Sequence, residues 1–582
     1  MSDEPQRATF RMPAHLFAEL AAGGGSAEAV AFLEHGERAR RLLLLRTLLD
    51  RLEALPTPLT PAAEAWQVLK QAAQRAPGPV DRLLLAPATG AWIAHLLRRM
   101  HGTAQGPTLW AEAGHLNALA VAASVRAGTD SALRIALSDG CLYLPGLGLA
   151  RIPAAHREAG REPAVGLARV HAGELTLTGR GHDGSTTSLT CRPVTAPAGS
   201  GPAGAAARSE SGPEGWLPLR TLTHQGPVGP VSVLLDDLDP YRDLDDPVPP
   251  ARLDEAEAEA WQQLFFEAGE LLAGRAGTGP GRADLRMIRS VVPFGRTTAR
   301  PPAPPTVQVS ASSGDSYGAM VIARPAGALA LAETLVHECQ HSKLAALLHL
   351  FPLLDDDREE RYYAPWRADP RHLTGLLHGA YAFTGVAGFW RDRLADARDD
   401  RAADAAGYHF ALRRTQSRLV VRTLLTSGRL TAQGHALVTG LARTLDPWLR
   451  EPVPPAALAR ARTAAALHRT EWRLRNMAPP GAGPADAVPP GVPRFRSDRT
   501  FWPDVRTHAF AARPTAPRTP DDHLAAGNPA AALAGYAEAL AREPAEPHAL
   551  SGWIVARAAL DPGRASRRML SRPELTQPLP SG

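Results

Sequence analysis

Cysteine is nearly absent. Cys141, Cys191 and Cys339 are the only three in 582 residues, too few and too scattered for a disulfide framework or a zinc ribbon. Lysine is scarcer still, with only Lys70 and Lys343, so almost all of the 64 basic residues are arginines. The formal net charge of +5 is modest for this length. No Arg/Lys stripe interleaved with aromatics is present, so nucleic acid is not an expected partner. Long apolar runs are missing as well: RLLLLRTLL at 41–49 is short and bracketed by arginines, which excludes a membrane span there. The opening residues MSDEPQRATFRMPAH lack the charged-then-apolar pattern of a secretory signal, so a cytoplasmic location is the default expectation.

What remains is the composition of a globular protein, 44% hydrophobic and 21% charged, long enough for two to four domains. Residues 14–75 and 113–128 carry apolar residues at helical spacing, whereas 132–192 alternates in short strand-like pieces. Residues 1–194 therefore read as an N-terminal helical region with short strands, and 195–215 as a Pro/Gly/Ser-rich linker or loop. The next region, 216–475, has strands at its start, a helix at 255–274, sheet at 286–294 and 306–323, and long helices over 329–350, 369–399 and 403–446. A Pro-rich linker at 476–520 sets off a helical tail at 521–565. In that tail Gly527, Ala532, Tyr536, Ala539 and Pro544 fall at the spacing of a tetratricopeptide (TPR) helix. One and a half such repeats cannot build a solenoid, so the tail is either a docking surface or a packing element. The expected class is α+β: mainly helical, with a small mixed or antiparallel sheet beside the helix at 329–350.

That helix carries His337-Glu338-Cys339-Gln340-His341. Residues four apart lie on one helical face, so both imidazoles can reach one metal ion. Glu338 is turned by about 100° from His337 and cannot ligate equivalently, but it can reach a water or substrate on that ion. Cys339 faces away from the histidines and reads as a packing residue.

Two histidines do not complete a site. His378, in GLLHGAYAF, is the first candidate for a third ligand, because Gly375, Gly379 and Ala382 allow close approach of its helix. Glu359 or Glu360, in DDDREER, is the second; His349 and His372 are weaker ones. The competing readings are a solvated acidic turn for the carboxylates and a hydrogen-bonded core histidine for His378. In YYAPWRADPR, Arg367 and Arg371 are four apart and present forks suited to a carboxylate. They suit a peptide, or the far carboxylate of 2-oxoglutarate in an oxygenase. A salt bridge to Asp369 or to the 355–360 acids is the bland alternative.

HECQH, followed by YYAPWRADPR and GLLHGAYAFTGVAGFW, resembles the 2-oxoglutarate/HExxH-type peptide β-hydroxylases, proteins encoded beside ribosomally made, modified peptides. FRMPAHLFAELAAGGG, VLLDDLDPYRDL and SASSGDSYGAMVIA agree with it. The similarity spans roughly residues 10–475 and is most specific over 333–390. It implies a mononuclear iron(II) site, 2-oxoglutarate and O₂ as co-substrates, and hydroxylation of a side-chain Cβ in a precursor peptide. It further implies His337, His341 and His378 as metal ligands and Arg367, with Arg371 second, as the 2-oxoglutarate site. Glu338 would then orient ligands or a bound water. A three-His set departs from the two-His, one-carboxylate triad usual for such oxygenases, which Glu359 or Glu360 would restore.

The spacing alone points instead to a zinc metallopeptidase with a zincin-like site, in which Glu338 is the general base and Glu360 or His378 the third ligand. There the strand near YGAMVIA would be a sheet edge that pairs with an extended peptide. The third reading is a non-catalytic module with a structural metal and a protein partner on the TPR-like tail.

Overall fold

The structure, a computed structural model, describes residues 11–152, 163–180, 185–193, 215–226, 229–244, 246–273, 277–295, 309–478, 494–496 and 507–576. Helix makes up about 56% of it, and three small sheets supply the strands. That bears out the α+β, mainly helical expectation. Apart from Gly215, the expected linker at 195–215 lies outside the described residues, as do 479–493 and 497–506 of the Pro-rich linker. No described helix is long and apolar enough to cross a membrane. The chain forms two compact units, one of Val30–Ala276 and Ala283–Leu350, the other of Met1–Ala29, Gly277–Arg282 and Phe351–Gly582.

After α1 (Ala14–Ala21), which belongs to the second unit, the chain enters the first through α2 (Ala27–Leu52). Helices α3 (Ala62–Arg75), α4 (Pro77–Leu84), α5 (Pro87–Met100), α6 (Leu109–Ala113) and α7 (His115–Ala127) follow. Every residue of α7 from His115 to Val125 is buried, so its apolar residues surround the helix rather than forming one stripe. It sits in a core with Trp92, Ile135, Leu142 and Leu177. Strands β1 (Ser131–Leu137), β4 (Ala164–His171), β5 (Glu174–Arg180) and β6 (Thr186–Cys191) form an antiparallel sheet in the order β1-β4-β5-β6. β2 (Cys141–Leu144), β3 (Gly148–Arg151) and β7 (Trp216–Pro218) make a second one. The β4–β5 connection is the pair Ala172-Gly173, both at positive φ (46° and 80°), a two-residue turn whose twist matches that of the strands.

The third sheet positions the motif helix. β8 (Arg220–Gly226) and β9 (Gly229–Leu235) form a hairpin, and α8 (Glu255–Ala273) packs on β8. β10 (Ser290–Phe294), β11 (Ser310–Ala311) and β12 (Ala319–Ala323) complete the order β11-β12-β10-β9-β8. β10 runs parallel to both β9 and β12, while β11 is antiparallel to β12. All of β12 is buried, consistent with its unbroken apolar run AMVIA. β12 is therefore not the sheet edge that its sequence suggested: β11 covers one side and β10 the other. From β12 the chain passes through Arg324 into α9 (Ala328–Leu350), the helix that carries the motif.

In the second unit α10 (Leu373–Ala395) packs along α11 (Asp400–Leu425), followed by α12 (Ala432–Trp448) and α13 (Pro455–Asn476). Gly388 of α10 is in contact with the backbone of Pro280, where a Cβ would lie 2.2 Å from the carbonyl oxygen. The tail comprises α14 (Pro520–Ala525), α15 (Pro529–Arg542), α16 (Pro547–Leu560) and α17 (Arg564–Ser571), so two helices follow the TPR-spaced segment. A capping box joins Thr519 and Asp522 at the start of α14. Gly552 is required because the ring of Tyr536 occupies the space of a Cβ, 2.2 Å away. The tail shares one apolar core with α11 and α13. A buried polar link joins it to α13: His548 bonds Glu471 through Nδ1 at 2.9 Å and Asp521 through Nε2 at 3.0 Å. Burial opposes a charge on His548, but those two carboxylates outweigh it and raise its pKa to about 10.

Because the folded pKa of His548 lies above the roughly 6.5 of an unfolded histidine, its contribution is fully present below pH ~6.5. It is lost as pH rises to about 10. The urea midpoint should fall over that window by an amount equivalent to on the order of 2 kcal/mol, and His548→Gln should flatten the dependence. A wild-type profile that is flat between those limits would contradict this link.

Candidate metal centre

α9 holds its motif among leucines. Leu331, Leu335, Leu344 and Leu347 are buried on its inward faces, and Glu338, Gln340, Ser342 and Lys343 are buried with them. Two ties fix its ends. At the entrance, Arg324 grips Glu257 of α8 with Nε at 2.7 Å and Nη2 at 3.3 Å. Near the exit, His349 Nδ1 lies 2.6 Å from Glu37 Oε1 of α2.

The i,i+4 spacing does bring His337 and His341 together, with Nε2 atoms 3.0 Å apart and rings nearly perpendicular at 77°. One Nε2–H donates to the other nitrogen. Two nitrogens 3.0 Å apart, each about 2.0–2.1 Å from a shared ion, subtend about 90–97°. That is close to the cis angle of an octahedral site, whereas a tetrahedral pair would stand about 3.4 Å apart. The separation of the two nitrogens is that of two cis positions on one ion. Burial pushes the pKa of His341 down to about 4, so its ring is neutral, the form that ligates.

Glu338 has no exposed surface. Burial raises its pKa, while Ser310 and Ser312 act in the opposite direction. Neither serine closes a hydrogen bond of regular geometry with the carboxylate. The carboxylate is thus inside the unit, beside the two serines of the β11 segment, and not on an open surface. Cys339 is buried, its thiol pushed up to about 12 by burial, in keeping with a packing role. Ser310 and Ser312 were not singled out from the sequence; the only signal was their place in SASSGDSYGAMVIA, ahead of the motif helix.

The remaining sequence-picked residues lie in the second unit. His378 is half-buried on α10. Next to it Gly379 lies under the indole of Trp366, which would sit 2.1 Å from a Cβ, and Trp366 in turn packs on Phe383. Glu359 is exposed and paired with Arg361, and Glu360 is exposed. Asp357 pairs with Arg361 and Arg429. His372 is engaged otherwise: its Nδ1 bonds Asp356 at 2.7 Å, and it caps α10. Burial works against the charge on Asp356, but hydrogen bonds from Thr374 and His372 hold it well below the usual carboxylate range.

YYAPWRADPR forms a loop closed at its base by reciprocal backbone bonds between Tyr362 and Arg371, 2.9 Å each. Within it Arg367 Nε and Arg371 Nη1 converge on one carboxylate, that of Asp369, at 2.8 and 3.3 Å. The two forks therefore share a single carboxylate, and Asp369 is the one they hold. Among the described residues no group of three or more His, Cys, Asp or Glu side chains is arranged to hold a metal ion.

No protein-family model matches this chain, and no curated protein matches its sequence.

Metal-stripped protein should take up one iron(II), cobalt(II) or zinc per chain. Affinity should fall roughly 100-fold or more in His337→Ala and in His341→Ala and stay unchanged in Cys339→Ala, read by chelator competition. Binding that survives both histidine substitutions would remove the centre from α9.

Proposed function

We propose that this protein is an iron(II)/2-oxoglutarate-dependent oxygenase that hydroxylates a side-chain Cβ of a ribosomally synthesised precursor peptide. The resemblance of HECQH, YYAPWRADPR and GLLHGAYAFTGVAGFW to the peptide β-hydroxylases gives the reaction class. The structural observation that carries it is the setting of Glu338, fully buried beside Ser310 and Ser312. A general base for peptide hydrolysis has to meet a water or a substrate; a buried carboxylate suits orienting its neighbours. The near-cis spacing of His337 and His341 supports the same reading.

In this reading His337 and His341 hold the iron. The resemblance supports His378 as third ligand, with Glu359 or Glu360 as the alternative. When bound, the iron with 2-oxoglutarate and O₂ supplies the oxidant that replaces a Cβ–H by C–OH, while 2-oxoglutarate is converted to succinate and CO₂. The protein's own share is position and exclusion of water. Arg367 and Arg371, already converged on Asp369, would take the far carboxylate of 2-oxoglutarate in its place. Burial keeps the imidazole of His341 unprotonated. The packing of α9 against the mixed sheet is read as zincin-like, and the tail as TPR-like and open to a protein partner.

The second reading is a zinc metallopeptidase with Glu338 as general base, and the HExxH spacing alone favours it. Adding iron(II) and then 2-oxoglutarate to anaerobic, metal-stripped protein separates the two. A visible charge-transfer band is expected, lost in His337→Ala and weakened severalfold in Arg367→Ala. No band, with tight zinc binding instead, would return the peptidase to first place. Glu338→Gln should retain measurable 2-oxoglutarate turnover as the oxygenase, whereas a peptidase would be abolished by it.

A further inference from the structure

Helix α2 carries more leucine than one face can bury. Leu45, Leu48 and Leu52, at i, i+3 and i+7, point inward with at most 5% exposure, while Leu42 and Leu43 are 37% and 68% exposed. Leu42, Arg46, Leu49 and Glu53 recur at i, i+4, i+7 and i+11, a single stripe along the helix. Facing that stripe, Trp66 of α3 supplies the opposite wall of a groove of about 460 Å³, with Asp50 also on its rim. The floor is apolar and the rim is charged.

The rim charges have no partner among the described residues: Arg46, Asp50 and Glu53 make neither an ion pair nor a side-chain hydrogen bond. Earlier on the same helix every guanidinium is engaged. Arg38 bonds Asp81, Arg40 bonds Asp315, and Arg41 donates to the carbonyls of Leu84 and Ala86. The groove thus combines exposed Leu42 and half-buried Leu49 and Trp66 with one positive and two negative charges a turn or two apart. That pattern has a direction, as a helix in a groove requires. A rim of mixed sign is a poor match for an anionic lipid surface. A twofold-related copy would set one concave groove against another, which leaves the groove unfilled.

We propose that the α2–α3 groove is a docking site for an amphipathic helix of a partner polypeptide. Apolar residues of that helix, at i, i+3/i+4 and i+7, would lie over Leu42, Leu49 and Trp66. An acidic side chain would meet Arg46, and a basic one would meet Asp50 and Glu53. The site is independent of the metal chemistry of α9.

The probe is a fluorescent helical peptide of about 18 residues with leucines at that spacing, one Glu and one Lys. Its control is an isomer of the same composition with the leucines scattered. Anisotropy with the full chain should give micromolar binding, at least about tenfold tighter than the isomer. Trp66→Ala should weaken it about tenfold or more, and so should Asp50→Lys combined with Glu53→Lys. Replacing the peptide's Lys by Glu should restore binding to the charge-reversed variant. Equal binding of both peptides, or no effect of the charge reversal, overturns the proposal. So does a dimer of the free chain in sedimentation velocity that Leu42→Asp abolishes, which would assign the groove to a second copy. Binding to anionic vesicles that is lost in that variant would assign it to a membrane surface and overturn it equally.

Discussion

The first unit is organised around the burial of a polar helix. α9 places Glu338, Gln340, Ser342 and Lys343 out of water together with its leucines, and a low-dielectric surrounding penalises each charge that has no substitute for its hydration. The penalty is visible in opposite directions on the two titrating groups. It raises the carboxyl of Glu338 and pushes the ammonium of Lys343, one of only two lysines in the chain, down to about 8. A helix under that penalty keeps its place only if its surroundings over-determine it. The buried Arg324–Glu257 pair at its entrance and the Glu37–His349 contact near its exit do so. Removing one partner of such a pair leaves an uncompensated buried charge, at a cost of about 3–5 kcal/mol. The Arg324–Glu257 pair therefore specifies position more than it adds stability.

The same unit shows why the strands around α9 fall in their order. β10 and β12 run parallel through the centre of the mixed sheet and are apolar on both faces, while the antiparallel β11 and β8 lie at the ends of the strand order. β11 is only two residues long, yet its segment brings Ser310 and Ser312 to Glu338. The turn that joins it to β12 is held by Asp315, which takes both Arg40 of α2 and Arg98 of α5. The N-terminal helices thus hold the turn that follows the segment lying beside Glu338. In the second unit a comparable economy joins the tail to α13, where one histidine between two carboxylates and one shared apolar core do the anchoring.

Much of this was legible along the chain. The pentapeptide HECQH sits on one helix, and its histidines meet because i,i+4 side chains share a face whatever surrounds the helix. The alternating segments between 132 and 192 became strands, and the helical patterns at 369–399 and 403–446 became α10, α11 and α12, since period and length survive any packing. The edge-strand expectation for β12 failed for a definite reason. AMVIA looks the same whether one side or both sides of a strand are paired, and only the return of the chain as β11 decides. The tail pattern showed a helix but not its anchorage, because His548, Glu471 and Asp521 are far apart in sequence.

The sequence by itself determined which residues share a helical face and which segments are too apolar to stay in water. It therefore determined the histidine pair, the Arg367/Arg371 spacing and the buried character of α7 and α9. Tertiary structure alone decided that Glu338 lies without solvent beside Ser310 and Ser312. It alone decided that Arg367 and Arg371 converge on Asp369, that His349 and His372 are taken up by Glu37 and Asp356, and that α2 leaves leucines facing outward. The physical reason is range. Helical and strand periodicity is set by neighbours a few residues apart, whereas burial, desolvation and the choice of an ion-pair partner depend on what the fold brings against each side chain.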